Sequence, residues 1–192
     1  MRQKNKQTNK NMKKIILTVA AVFAFGFANA QENVIKVNPL SILGGTDLVS
    51  YELKLGENSS FLVGAGIGGF KIGDAKYSNL GGEVQYRYYF NEALKGFYVG
   101  GQVGYSSGKV ELGNSFDQNG NATSSTDETK FGSFKVGAKG GYQWIWGSGF
   151  SLDLNLGLAY NNFNYKDSDS STSTLKASGV LPNFGFGLGY AF

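Results

Sequence analysis

The chain has 192 residues, 41% of them hydrophobic, with 29 glycines, two prolines, no cysteine and no histidine. That is room for one domain; lack of cysteine excludes disulfides, thiol nucleophiles and thiolate metal sites, and lack of histidine removes the commonest general base and a common zinc ligand. The net charge of +4 does not mark a nucleic-acid binder, because six of the 18 basic residues (Arg2, Lys4, Lys6, Lys10, Lys13, Lys14) fall in the first 14 positions, which hold no acid.

The first element in chain order is a targeting segment. "MKKIILTVAAVFAFGFANA" (12–30) has a Lys13–Lys14 n-region, an apolar run from Ile15 to Phe27, and the small-x-small end Ala28-Asn29-Ala30. This pattern predicts a secretory signal peptide cleaved before Gln31. The alternative is an uncleaved anchor, but the apolar run is short against the roughly 20 residues a spanning helix needs. Residues 1–11 read as an upstream extension, with Met12 as a candidate start. Removing six of 18 basic residues and none of the 14 acidic ones leaves residues 31–192 with a net charge of −2. The expected mature protein is exported, mildly acidic and not a partner for nucleic acid.

From residue 31 onward apolar residues recur with period two, the mark of strands with two unlike faces. Eight strands are predicted. They are 34–43 ("VIKVNPLSIL", its facing left open by Pro39), 47–55, 61–70, 82–90, 97–105, 133–144, 150–160 and a last one from about Val180 to Phe192. "FSLDLNLGLAY" (150–160) is the cleanest: Phe150, Leu152, Leu154, Leu156, Leu158 and Tyr160 share one face, Ser151, Asp153, Asn155, Gly157 and Ala159 the other. Short connections ("GENSS", "NEALKG", "WGSG") alternate with longer polar ones, "KIGDAKYSNL", 106–130 and 161–179. The first hairpin, around Gly44-Gly45-Thr46, is short where the alternation predicts a long one.

A soluble sandwich would also alternate. Three features favour a transmembrane barrel. The non-apolar faces mix charges with glycines, which suits the crowded inside of a narrow barrel. Aromatic residues cluster beside the short turns (Phe90, Phe97, Trp144, Trp146, Phe150, Tyr190, Phe192), and Tyr105, Phe131, Tyr160 and Phe163 are expected at an opposite rim, as in interfacial belts. Strand lengths of about 9–11 residues suit a tilted bilayer crossing. Hydrocarbon offers backbone groups no partners, so only a closed sheet can span. The expected fold is an all-β, eight-stranded, antiparallel up-and-down barrel in the bacterial outer membrane, with short turns toward the periplasm and long loops outside.

At this point the chain resembles the small outer-membrane β-barrels of the OmpA-barrel, OmpX and OmpW type, on the signal peptide, the eight alternating strands and the aromatic end "GLGYAF". The stretch "NVIKVNPLSILGGTDLVSYE" with "YRYYF" is also similar to an uncharacterised outer-membrane barrel domain family without assigned activity. The resemblance implies recognition of the last strand by the barrel-assembly machinery, carried here by Tyr190 and Phe192. It also implies contact with outer-membrane lipid and lipopolysaccharide, and a monomer, with a larger envelope complex as the alternative. The enzymatic barrels of this kind use histidine, which this chain lacks.

The remaining motifs have plain readings beside the sharp ones. "GAGIGG" (64–69) fits a dinucleotide fingerprint, but no helix opens after it; glycine lining a wall is the better account. A carboxylate base such as Asp153 or Glu83 beside Ser151 or Ser133 is the enzymatic alternative. The favoured reading is a lumen network of Glu52, Glu83 and Asp153 with Lys54, Arg87, Lys135 and Lys139, since buried charges persist when paired. The Ser-, Thr-, Asn- and Asp-rich loops lack EF-hand spacing, and Asn121-Ala122-Thr123 is a weak sequon. The expectation is a non-enzymatic protein without cofactor or metal, structural or surface-interactive in role, with a narrow channel or lateral path for small hydrophobic molecules as the alternative.

Overall fold

A computed structural model describes residues 32–42, 46–73, 75–112, 115–116, 122–123, 127–167 and 174–192. The expected cleavage residues Ala28, Ala30 and Gln31 lie outside the described residues. The strands are β1 (Asn33–Val37), β2 (Val49–Lys54), β3 (Ser59–Ile72), β4 (Ala75–Tyr89), β5 (Gly96–Leu112), β6 (Ser115–Phe116), β7 (Ala122–Thr123), β8 (Asp127–Ile145), β9 (Phe150–Asp167) and β10 (Thr174–Ala191). Eight of them close a ring in the order β1-β10-β9-β8-β5-β4-β3-β2, every pair antiparallel, while β6 and β7 form a separate ribbon. The fold is an eight-stranded up-and-down barrel.

The ladder has a definite stagger. From Val49, the register runs through Ala65, Gly82, Tyr105, Phe134 and Asn162 to Ser178. In the other direction it runs through Val37 to Leu188, ten residues from Ser178 on the same strand. A stagger of that size goes with strands tilted about 35–45° to the barrel axis.

Three sequence expectations need correction. β1 ends at Val37, and Pro39–Ile42 turn as a 3-10 segment. Proline has no N–H for a ladder, so the first strand stops before it. The β1–β2 connection therefore spans 38–48 and is long, as the alternation of loops requires. Conversely, "KIGDAKYSNL" is no loop: β3 and β4 stay paired to Ile72↔Ala75. Much of 106–130 and 161–179 is also strand, with β5–β8 pairing to Leu112↔Asp127 and β9–β10 to Lys166↔Thr174. Ladder bonds need only backbone, so pairing continues where apolar alternation stops.

The turns 55–58, 90–95 and 146–149, the start of β1 at Asn33 and the end of β10 at Ala191 lie at one end of the barrel. In the last of these turns Gly149 has φ +84, and a Cβ there would meet the Tyr190 ring at 2.7 Å. Glycine is required on both counts. Its carbonyl accepts the N–H of Ala191 (2.7 Å), tying the turn to the last strand.

Candidate functional site

The barrel is inverted relative to a soluble protein. Its exterior carries the large apolar side chains, among them Val63, Leu80, Val136, Leu154, Leu156, Leu158 and Phe184, all exposed. Its interior holds buried charge: Glu52 is 0% exposed, Arg87 2% and Asp153 2%.

The apolar band has borders. Toward the short turns it ends in aromatics, with Phe97 edge-on to Tyr142 (4.6 Å), Tyr142 against Trp144 (4.3 Å), Trp146 stacked on Phe150 (5.3 Å) and Tyr88 edge-on to Phe90 (6.1 Å). Toward the long loops each strand changes character at a matching level. Outward Leu80 gives way to Ser78, Tyr105 to Ser107, Tyr160 to Asn162 and Val180 to Ser178. The run from Phe150 to Tyr160 on β9 spans about 25 Å once tilted, the height of a hydrocarbon-facing band. Phe131 does not belong to the outer rim. It shares the inner face with Ser133 and stacks on Tyr77 at 5.6 Å. Phe163, in register with Ser133, is also on the inner face.

Inside, the lumen is layered. At the short-turn end an apolar stopper joins Val34 of β1, Leu94 of the β4–β5 turn and Ala191 of β10, with Ile145 against them. Leu94 adopts φ 72, a conformation that costs a side-chain-bearing residue about 1–2 kcal/mol. The turn is held there by the Ala93 N–H donating to the Glu57 carbonyl (2.7 Å) and by Asn58 Nδ2 donating to the carbonyls of Tyr89 (3.1 Å) and Asn91 (2.9 Å).

Above the stopper sits a four-charge cluster. Lys36 Nζ donates to Glu52 Oε2 (2.5 Å), Asp153 Oδ2 (2.8 Å) and Gln143 Oε1 (2.8 Å). Arg87 donates to Asp153 Oδ2 (2.6 Å) and Glu52 Oε2 (3.3 Å), and its guanidinium lies 4.4 Å from the centre of the Tyr98 ring. The remaining carboxylate oxygens accept from Ser60 and Tyr89 on Glu52 and from Tyr98 on Asp153. Two cations face two anions with nearly every lone pair used, the condition under which buried charge persists. Glycines make the room: a Cβ on Gly189 would sit 2.7 Å from Lys36, and one on Gly100 3.3 Å from Arg87.

A second cluster lies above. Lys135 Nζ donates to Glu83 Oε2 (2.5 Å), Lys139 lies 3.7 Å from Glu83 Oε1, and Gln85 also donates to Glu83. The long β1–β2 connection dips into this layer. Thr46 donates to Glu83 (3.1 Å) and accepts from Lys135 (3.3 Å), Asp47 accepts from Asn38 (3.0 Å), and Asp47 packs over Gly64.

Sequence reasoning thus named six of the charges that meet here: Glu52, Glu83, Arg87, Lys135, Lys139 and Asp153. Lys54 shares the inner face but is only half-buried and makes no ion pair among the described residues. Its role is taken by Lys36, missed because the facing of the first strand was open. The signal was present in Ile35 and Val37, outward apolar neighbours on either side of it. No group of metal-binding type occurs among the described residues.

Residues 15–179 match the family model described as "Protein of unknown function (DUF3575)". No curated protein and no solved structure matches the chain.

Proposed function

The chain belongs to the DUF3575 family, and from that premise we propose that it is an integral outer-membrane barrel with a structural or surface-interactive role rather than an open pore or an enzyme. The observation that carries this reading is the inversion of polarity: a bordered apolar exterior around a buried, charge-paired lumen. Hydrocarbon is the environment in which that arrangement is stable. In this reading the signal peptide is removed on export and the long-loop end faces outward, among lipopolysaccharide. The barrel-assembly machinery reads the last strand through Tyr190 and Phe192. Both residues are seated on β1: Tyr190 pairs with Ile35, and Phe192 exchanges backbone hydrogen bonds with Asn33 (3.0 and 3.1 Å).

The stopper and the two charge clusters support a lumen without a wide aqueous path, since eight strands leave little more than side-chain room. The candidate base carboxylates are engaged, Asp153 by Lys36, Arg87 and Tyr98, Glu83 by Lys135 and Gln85. The reading is a monomer without cofactor.

The test is fractionation followed by gel migration. Protein from outer-membrane fractions should shift in mobility on boiling; recovery in the soluble periplasmic fraction would overturn the proposal. In planar bilayers the folded protein should give no large, steady conductance steps.

A further inference from the structure

The wall is complete in its lower half only. β1 and β2, five and six residues long, stand between β10 and β3, which have 18 and 14. Above Leu188, β10 has its β9 neighbour but no described partner on the other side; above Ala65, β3 is likewise paired with β4 alone. Outward Phe184 and Val180 on β10, and Ile67 on β3, are exposed along this stretch, so the one-sided edges run within the apolar band. The 3-10 segment Pro39–Ile42 packs against both β3 and β10, with Leu40 exposed.

We propose that this seam is a lipid-binding cleft, which admits an acyl chain of the surrounding bilayer into the upper lumen; the proposal rests on the outer-membrane reading above. Four features support it. First, β10 is apolar on both faces here: outward Val180 is 63% exposed, and Leu181, which shares the inner face with Ala159, is 48% exposed. Elsewhere in the band the inner apolar residues, such as Leu62 and Ala159, are buried, whereas Leu181 is not. Second, the upper lumen beyond the seam continues in apolar surface, with Phe70 stacked on Tyr77 (5.2 Å) and Tyr77 on Phe131. Phe131 reaches Tyr77 because Gly108 lies between them; a Cβ at 108 would sit 2.7 Å from the ring. Third, the lumen is stoppered below, so what enters sideways stays in contact with the membrane. Fourth, both prolines of the chain border the seam, Pro39 ending β1 and Pro182 on the one-sided part of β10. Proline on an edge strand blocks pairing with an added strand, which favours an alkyl occupant over a partner strand.

The chain has no cysteine, so single labelled sites are clean. A small fluorophore is placed at Leu181→Cys, at outward Phe184→Cys and at Asn161→Cys, an inner-face site on β9, which is paired on both sides. Each labelled protein, with its boiling-dependent gel shift verified, is reconstituted in phosphatidylcholine brominated on its acyl chains. Quenching at 181 should approach that at 184 and exceed that at 161 several-fold. Quenching at 181 no greater than at 161 would overturn the cleft. If the label at 184 also escapes quenching, it is the membrane placement that fails. Quenching at 181 that falls as the protein-to-lipid ratio rises would assign the seam to a second copy and likewise overturn the proposal.

Discussion

At Asp153 the wall of β9 has a hydrogen-bonded strand on each side, and its inner face is charged, glycine-lined and buried. At Leu181, on the adjacent strand, the wall has a neighbour on one side, and its inner face is apolar and half exposed. The two sites lie on one continuous antiparallel ladder, so backbone pairing alone does not separate them. What separates them is the length of β1 and β2. Where those strands are present, the ring is closed and only side chains can fill it, which selects paired charges seated on glycines. Where they stop, the 3-10 segment Pro39–Ile42 lies against β3 and β10 in place of paired strands, and the inner face of β10 turns apolar.

The largest effect should come from breaking the closed region at its centre. Asp153→Ala leaves Lys36, Arg87 and Tyr98 without their shared acceptor, and loss of one partner from a buried ion pair costs about 3–5 kcal/mol. Urea unfolding in lipid vesicles should show a loss of that size. Next, Leu154→Arg puts a cation on the outer apolar face of the doubly paired wall at mid-band, which in the outer-membrane reading costs about 2–4 kcal/mol by the same measurement; an unchanged midpoint would mean that this face is not in hydrocarbon. Smaller again is Gly108→Ala. Its methyl would collide with the Phe131 ring and the Ser78 carbonyl, and overpacking of this kind costs about 1–3 kcal/mol. The near-ultraviolet circular dichroism of the Tyr77–Phe131 stack should change with it. Pro182→Val should barely alter stability, within about 0.5 kcal/mol as for most exposed positions. It restores a backbone donor to the one-sided edge, so chemical cross-linking should trap more dimer than in the parent protein.

The paired core of every strand was legible, because period two survives wherever one face is apolar and outward and the other lines the lumen. Glu52, Arg87 and Asp153 were legible for the same reason, each lying between outward apolar neighbours. What the sequence hid was non-local. Lys36 was lost with the facing of β1, and Lys54 was included because alternation reports a face, not whether a partner reaches it. The upper strand extensions were hidden because Ser, Thr and Asn pair through backbone without leaving an apolar trace. The seam follows from which strands end early relative to their neighbours, a property of register that no single segment carries. Leu94 was hidden in "NEALKG", which reads as an ordinary polar turn until β1 and β10 close beneath it.

Leu94 also bears on how the molecule is finished. The floor it forms takes one side chain from the first strand, one from the middle of the chain and one from the penultimate residue, Ala191. Pairing β1 with β10 and laying the floor therefore go together. Removing Ala191 and Phe192 would strip Leu94 of one of its contacts and leave its unfavourable twist in place, so a barrel without the end of β10 carries its own penalty.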